Sequence, residues 1–323
     1  MKHKSLLAKL TVSIALLALL AFEIDGDQIK SLTNNIHPVS WAYALFFLFI
    51  QIAALAIRWE ILVNTANPKP ITYATSLRII SISQLANYIF ITSLGGIISR
   101  IGLTMSCEVP FVKSLAATII DRGMTLVALV LLALACAPFL WELFPNEMTR
   151  IAIILGGVSI VGLFVLSLLY KKRRAIIFYD RRITVCFKYL RTLLTDPIRL
   201  GRVIGISLAG QLMYFAAVYV LIHSLGAEFS FFQFMAVIPG IALIAALPIG
   251  YAGWGIREGA FVYGLSLIGM SSSAAFTASI QIGLISMLIS AILGIPAFMS
   301  SHTQTALKTW RLKKKFKAVD VLS

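Results

Sequence analysis

Leu247-Pro248-Ile249-Gly250-Tyr251-Ala252-Gly253-Trp254-Gly255-Ile256-Arg257-Glu258-Gly259 sets a glycine-rich, helix-breaking and doubly charged segment between two apolar runs. A bilayer offers no water to free backbone N–H and C=O groups, so non-helical chain at membrane depth persists only where protein or a wet cavity surrounds it. Arg257 and Glu258 point the same way, because ionisable side chains inside membrane segments are costly and face a polar pathway or a partner. A short solvent-exposed loop is the plainer alternative, since Pro and Gly clusters also punctuate ordinary connections.

Composition decides what the flanking runs are. With 59% hydrophobic and 13% charged residues and a mean hydropathy of +0.91, the chain reads as a polytopic membrane protein rather than a water-soluble domain. At roughly 20 residues per crossing there is room for about seven to nine apolar elements and their connections, with no sizeable soluble domain among the 323 residues. The formal charge of +15 does not imply nucleic acid, because the basic residues flank apolar runs instead of forming an exposed face with interleaved aromatics. They gather at Lys2, Lys4 and Lys9, from Arg58 to Arg78, at Arg100 and Lys113, from Lys171 to Arg202, and from Lys308 to Lys317. The other connections carry Glu23, Asp25, Asp27, Glu142, Glu147 and Glu228. This asymmetry predicts that the basic segments and both termini are cytoplasmic.

Cys107, Cys136 and Cys186, and His3, His37, His223 and His302, are scattered without metal-ligand spacing, so neither a metal nor a cofactor is expected. Lys2 and Lys4 before the apolar run from Leu10 to Phe22 resemble a signal peptide, but with no clear cleavage signal the run reads as an uncleaved first helix.

The apolar blocks run approximately 6–23, 39–63, 71–98, 114–140, 149–170, 202–225, 230–249, 256–270 and 274–299. If every block crossed, Arg100 and Lys113 would fall opposite Arg58 and Lys69, against the positive-inside pattern. The conflict disappears if 71–98, interrupted by Asn87, Ser93, Gly95 and Gly96, enters from the cytoplasm and turns back. Blocks 230–249 and 256–270 then form a second hairpin entering from outside. The expected fold is an all-α polytopic helical bundle with about six full transmembrane helices and two re-entrant hairpins, the pattern of an inverted-repeat transporter. It forms a single domain over 1–323, divided into a first half at about 1–170, a basic linker at 171–201, a second half at 202–300 and a basic tail at 301–323. Both breaks carry two nearby glycines followed by an arginine, Gly95-Gly96-Ile97-Ile98-Ser99-Arg100 and Gly253-Trp254-Gly255-Ile256-Arg257. In the linker, Ile183, Phe187, Leu190 and Leu194 recur at helical spacing, which predicts an amphipathic helix on the inner leaflet; a solvated charged loop would set topology equally well.

A second intramembrane charge pair is Asp121-Arg122. Neighbouring helical residues point about 100° apart, so each needs its own partner. One arrangement pairs Asp121 with Arg257 or Arg100, and Arg122 with Glu258. Such ions can serve only to lock helices together; alternatively an arginine is left for an anionic headgroup, since guanidinium matches phosphate oxygens bidentately. The helix start predicted at Ile256-Arg257-Glu258 would add N–H groups that favour anions, and the hairpin glycines permit close backbone approach. No Walker, HExxH or GxSxG motif is present, and no familiar enzymology is expected.

The pattern Pro-x-x-x-x-Gly-x-Gly-x-Arg-Glu, here Pro248, Gly253, Gly255, Arg257 and Glu258, resembles the signature of the lysylphosphatidylglycerol synthase transmembrane family, the flippase-like domain that also occurs alone in bacteria and archaea. Upstream, Asn87, Ser93-Leu94-Gly95-Gly96 and Arg100 resemble that family's Asn…Gly-Gly-Asp-x-x-Arg stretch, and Asp121-Arg122 resembles its acidic-Arg pair. Ile97 stands where the family commonly has an acid, which bears on any coupling-proton or cationic-headgroup role there. The resemblance implies the translocation half of a lipid-modifying system, in a prokaryotic cytoplasmic membrane, acting on an aminoacyl-phospholipid, a polyprenyl-linked sugar or another anionic lipid. The expected headgroup cavity is lined by Arg257, Glu258, Arg100, Asp121, Arg122 and Asn87, with Pro248, Gly250, Gly253, Gly255, Gly95 and Gly96 shaping the hairpin backbone. Two other readings stand beside it: a non-transporting membrane partner of a separate lipid synthase or glycosyltransferase, and a membrane-embedded lipid transferase with Glu258 or Asp121 as base.

Overall fold

In the computed structural model, the described residues are 37–65, 70–89, 95–143, 189–246, 255–300 and 303. All secondary structure among them is helical. The main elements are α1 (Pro38–Asn64), α2 (Tyr73–Ile89), α3 (Gly95–Ser106), α4 (Phe111–Leu143), α5 (Pro197–Ser224), α6 (Phe231–Ala245), α7 (Ile256–Ser266) and α8 (Ser272–Met299). The predicted first helix at 6–23, the block 149–170, the linker up to 188 and nearly all of the tail lie outside the described residues, as do Pro248, Gly250 and Gly253.

Local chemistry sets the helix ends. Asp196 accepts from the Arg199 N–H at 3.0 Å while Pro197 occupies the first helical turn, an N-cap followed by a residue whose missing N–H costs nothing there. This start makes α5 longer than block 202–225 and takes the end of the predicted linker into the helix. Ser230 and Gln233 exchange side-chain bonds with each other's backbone N–H at 3.2 and 2.9 Å to open α6, a capping box. Ser271 caps α8 through the Ala274 N–H at 3.3 Å.

Long, short, short, long is the order of α1–α4, and it repeats in α5–α8. α1, α4, α5 and α8 are long and apolar enough to cross a membrane. By contrast α2, α3, α6 and α7 extend about 26, 18, 22 and 16 Å at 1.5 Å per residue, short of the ~30 Å hydrocarbon core. The packing repeats as well: α2 lies on α8 and its counterpart α6 on α4, while each short pair packs on itself and α1 lies along α5.

Three cavities fix the direction of the short pairs. Thr75 and Arg78 near the start of α2, Ser106 and Cys107 at the end of α3, and Thr303 beyond α8 line one space, so the outer ends of α2 and α3 lie together. Residues Leu225–Phe229 before α6, and Ile268–Ser271 with Ala274 after α7, line another, so α6 and α7 also fold back. A third space joins the end of α1 to the start of α5. It neighbours the first, because the Asn64 side chain bonds both Ile71 N and Ile71 O at 2.9 Å. From there α5 travels about 42 Å to the mouth of the α6–α7 pair. The two hairpins therefore open toward opposite ends of the bundle.

Candidate functional site

The buried charges form two groups. In the first, Asp121 of α4 is held between two arginines. Arg58 of α1 donates from Nε to Asp121 Oδ1 at 2.8 Å, and Arg100 of α3 donates from Nη1 to Oδ2 at 2.6 Å. Arg58 also donates to Ser207 of α5 at 3.0 Å and to Thr125 of α4 at 2.9 Å. Arg100 reaches Ser83 of α2 at 3.4 Å and lies over the Trp59 ring, 5.0 Å from its centroid, a cation–π seat. Arg58, Arg100 and Asp121 are all at least 95% shielded. Two guanidiniums on one carboxylate leave this cluster net positive, and each member is tied to a different helix.

The arrangement expected from sequence is thus found for Asp121 with Arg100. Arg58 was missed: its place near the end of an apolar block makes it read as a topology-setting cation. The pairing of Arg122 with Glu258 is not found. Arg122 lies on the exposed side of α4, turned away from its neighbour as the 100° helical step requires, and Glu258 is engaged by Arg257.

That engagement makes the second group. Gly255 has φ +90° and precedes α7, a left-handed conformation that glycine adopts without strain. Glu258 is fully buried. Its Oε2 accepts from the Gly255 N–H at 2.5 Å, and its Oε1 accepts from Arg257 Nη2 at 2.6 Å and Nε at 3.1 Å. Neighbours in sequence can pair here because Glu258 turns back over the helix start while Arg257 folds along it. Arg257 Nε also reaches Ser279 of α8 at 3.2 Å, and the guanidinium rests on Gly283, where any Cβ would collide with it. The Arg257 side chain keeps 16% of its surface exposed. Tyr88 at the end of α2 reaches Ser286 of α8 and lies within electrostatic range of Arg257, as does Tyr214 of α5.

Gly283 and Ser286 are about 16 and 21 Å along the ~42 Å of α8. The far end of the first hairpin and the start of α7 in the second therefore meet near mid-height of the bundle, beside Arg257.

Asn87 sits at the same hairpin end but caps α3: its Oδ1 accepts from the Gly96 N–H at 3.1 Å. A Cβ on Gly96 would strike the Asn87 side chain and the Ser83 carbonyl. Gly95 and Gly96 accordingly lie in the first turn of α3 rather than in the connection before it. Among the described residues no cluster of His, Cys, Asp and Glu is grouped to hold a metal ion.

A sequence model described as the lysylphosphatidylglycerol synthase TM region matches residues 6–294. The chain belongs to this family. The match runs from the predicted first helix into α8 and includes both charged clusters. Comparison with curated proteins gives no match. Membership in the lysylphosphatidylglycerol synthase TM family, four candidate membrane spans and the shorter apolar helix α6 establish a polytopic helical membrane protein of a lipid-linked family.

Proposed function

We propose that the protein moves a phosphate-bearing lipid between leaflets of a prokaryotic cytoplasmic membrane, the headgroup passing the hairpin ends at Arg257 while the acyl chains stay in the bilayer. The observation that carries this reading is the meeting of two opposed hairpins at mid-height beside a partly exposed arginine. Broken helices meeting near the midplane are the usual site architecture of inverted-repeat transporters.

With the basic Arg78, Lys113, Arg199 and Arg202 near one end of the bundle and Glu228 at the other, positive-inside topology assigns the α2–α3 mouth to the cytoplasm and the α6–α7 mouth to the outside. A headgroup phosphate arriving from either mouth competes with Glu258 for Arg257. Glu258 can release the guanidinium and keep its bond to the Gly255 N–H, so its negative charge remains held at the α7 N-terminus. The phosphate then takes two parallel N–H bonds from the guanidinium. The Arg58–Asp121–Arg100 cluster has a different role in this scheme. It is fully shielded and fastens α1, α3 and α4, leaving Arg257 as the arginine that changes partner. On this account the chain is a transporter and forms no covalent intermediate with its lipid.

Leaflet exchange in vesicles containing the purified chain and fluorescent anionic, aminoacylated or glycosylated lipids tests the proposal. Exchange of one lipid class by the native chain, lost in Arg257→Ala at unchanged folding, is the expected result. Exchange of no lipid class, or exchange undiminished in Arg257→Ala, contradicts it.

A further inference from the structure

The cavity between the end of α1 and the start of α5 belongs to neither hairpin, and no step proposed above uses it. Its volume is about 410 Å³, and it is lined by Glu60, Ile61, Asn64, Thr65, Asp196, Ile198, Arg199 and Arg202. The charges face it unevenly. Asp196 is occupied with Arg199, 3.4 Å away, and with the α5 N-terminus. Glu60 on α1 and Arg202 on α5 have neither a hydrogen bond nor an ion pair among the described residues. Opposite charges on the two walls are thus left separated by the space instead of closing it.

Tyr189, in the short helical stretch 189–194 before α5, is 2% exposed. It lies beside Thr65 and Arg199, both on the cavity wall. The Thr65 hydroxyl donates to Ile61 O at 2.7 Å, which leaves its oxygen as an acceptor for the Tyr189 phenol. Burial pushes the Tyr189 phenol well above its ordinary range, so it remains a neutral O–H donor.

We propose that this cavity binds the headgroup of a zwitterionic aminophospholipid, its phosphate held by Arg202 and Arg199 and its primary ammonium by Glu60. The ligand must carry both charges, because phosphate alone leaves Glu60 unpaired and ammonium alone leaves Arg202 unpaired. It must be a lipid rather than a soluble headgroup because the cavity lies at the ends of two helices of membrane-spanning length, with Ile198, 69% exposed, and Ile61 on its wall. A lipid here joins α1 to α5, the helices through which the two halves pack, and the site does not depend on translocation.

The test is binding to the purified full chain in detergent, read by native mass spectrometry. Phosphatidylethanolamine, phosphatidylcholine, phosphatidylglycerol and soluble glycerophosphoethanolamine are compared. Choline has no N–H to donate to Glu60, so phosphatidylethanolamine is expected to bind roughly tenfold more tightly than phosphatidylcholine, as a charge-assisted hydrogen bond is lost. Glu60→Gln should remove that preference, and Arg202→Gln should weaken both lipids. Equal binding of the ethanolamine and choline lipids to the native chain overturns the proposal. So does tighter binding of phosphatidylglycerol, an unchanged preference in folded Glu60→Gln, or soluble headgroup binding as tight as the lipid. If either variant fails to fold, the ranking of the four ligands on the native chain decides alone. Leaflet exchange is a separate readout, so failure of this site and failure of the Arg257 pathway are distinguishable.

Discussion

Two carboxylates divide the work at the scale of single residues. Asp121 is shared by Arg58 and Arg100, each with further hydrogen bonds to other helices. Glu258 serves one arginine, one backbone N–H and the Ser279 hydroxyl, 3.4 Å away. Removing the charge of Asp121 leaves two buried guanidiniums without a counter-ion, and breaking a buried pair in this way costs about 3–5 kcal/mol. Asp121→Asn is therefore expected to lower the thermal midpoint of the purified chain sharply; a variant as stable as the native chain would mean that the cluster is not a fastening. The Arg100–Asp121 contact was legible in the sequence, because intramembrane ions of opposite sign seek one another. Arg58 was hidden because it lies near a block end, where a cation normally reports topology. The Arg257–Glu258 pair was hidden by a rule true of helix interiors but relaxed at a helix start.

Among elements, the short pairs depend on close contacts that hydropathy does not register. Asn87 closes the first hairpin by capping α3, and Gly96 has no room for a side chain against Asn87 and Ser83. Gly102, six residues further along the same helix, meets nothing within 4 Å of an added Cβ. Gly96→Ala is expected to destabilise the chain by about 1–3 kcal/mol, as overpacking does. Gly102→Ala should leave stability unchanged or raise it by up to about 1 kcal/mol through helix propensity. Denaturation midpoints of the two variants in detergent check this contrast, and equal effects would mean that α2 and α3 do not approach as described. The short helices themselves were readable, since polar and glycine-rich residues interrupt block 71–98 and separate block 230–249 from block 256–270. The helix starts were less so: the Asp196-Pro197 cap moved the beginning of α5 back into what looked like linker.

At the scale of the molecule, the described helices run through one long-short-short-long order twice, packed through α1 and α5. The repeat was only faintly visible in sequence, in two glycine-glycine-arginine stretches, because the halves carry different chemistry on matching elements: a three-ion cluster in the first, and an arginine beside its own glutamate in the second. What they share is geometry, with the first helix of each short pair lying on the last long helix of the other half and the second on that of its own half. The account requires that both ends of each short pair meet one face of the membrane, and opposite faces for the two pairs. Single cysteines at Thr75, Ser106, Ala227 and Ser271, placed in a chain whose native cysteines are replaced by serine, test this with a membrane-impermeant thiol reagent applied to intact cells and to inverted vesicles. The account predicts labelling of positions 75 and 106 only from the cytoplasmic face and of positions 227 and 271 only from the outer face; labelling of 75 and 106 from opposite faces would contradict it.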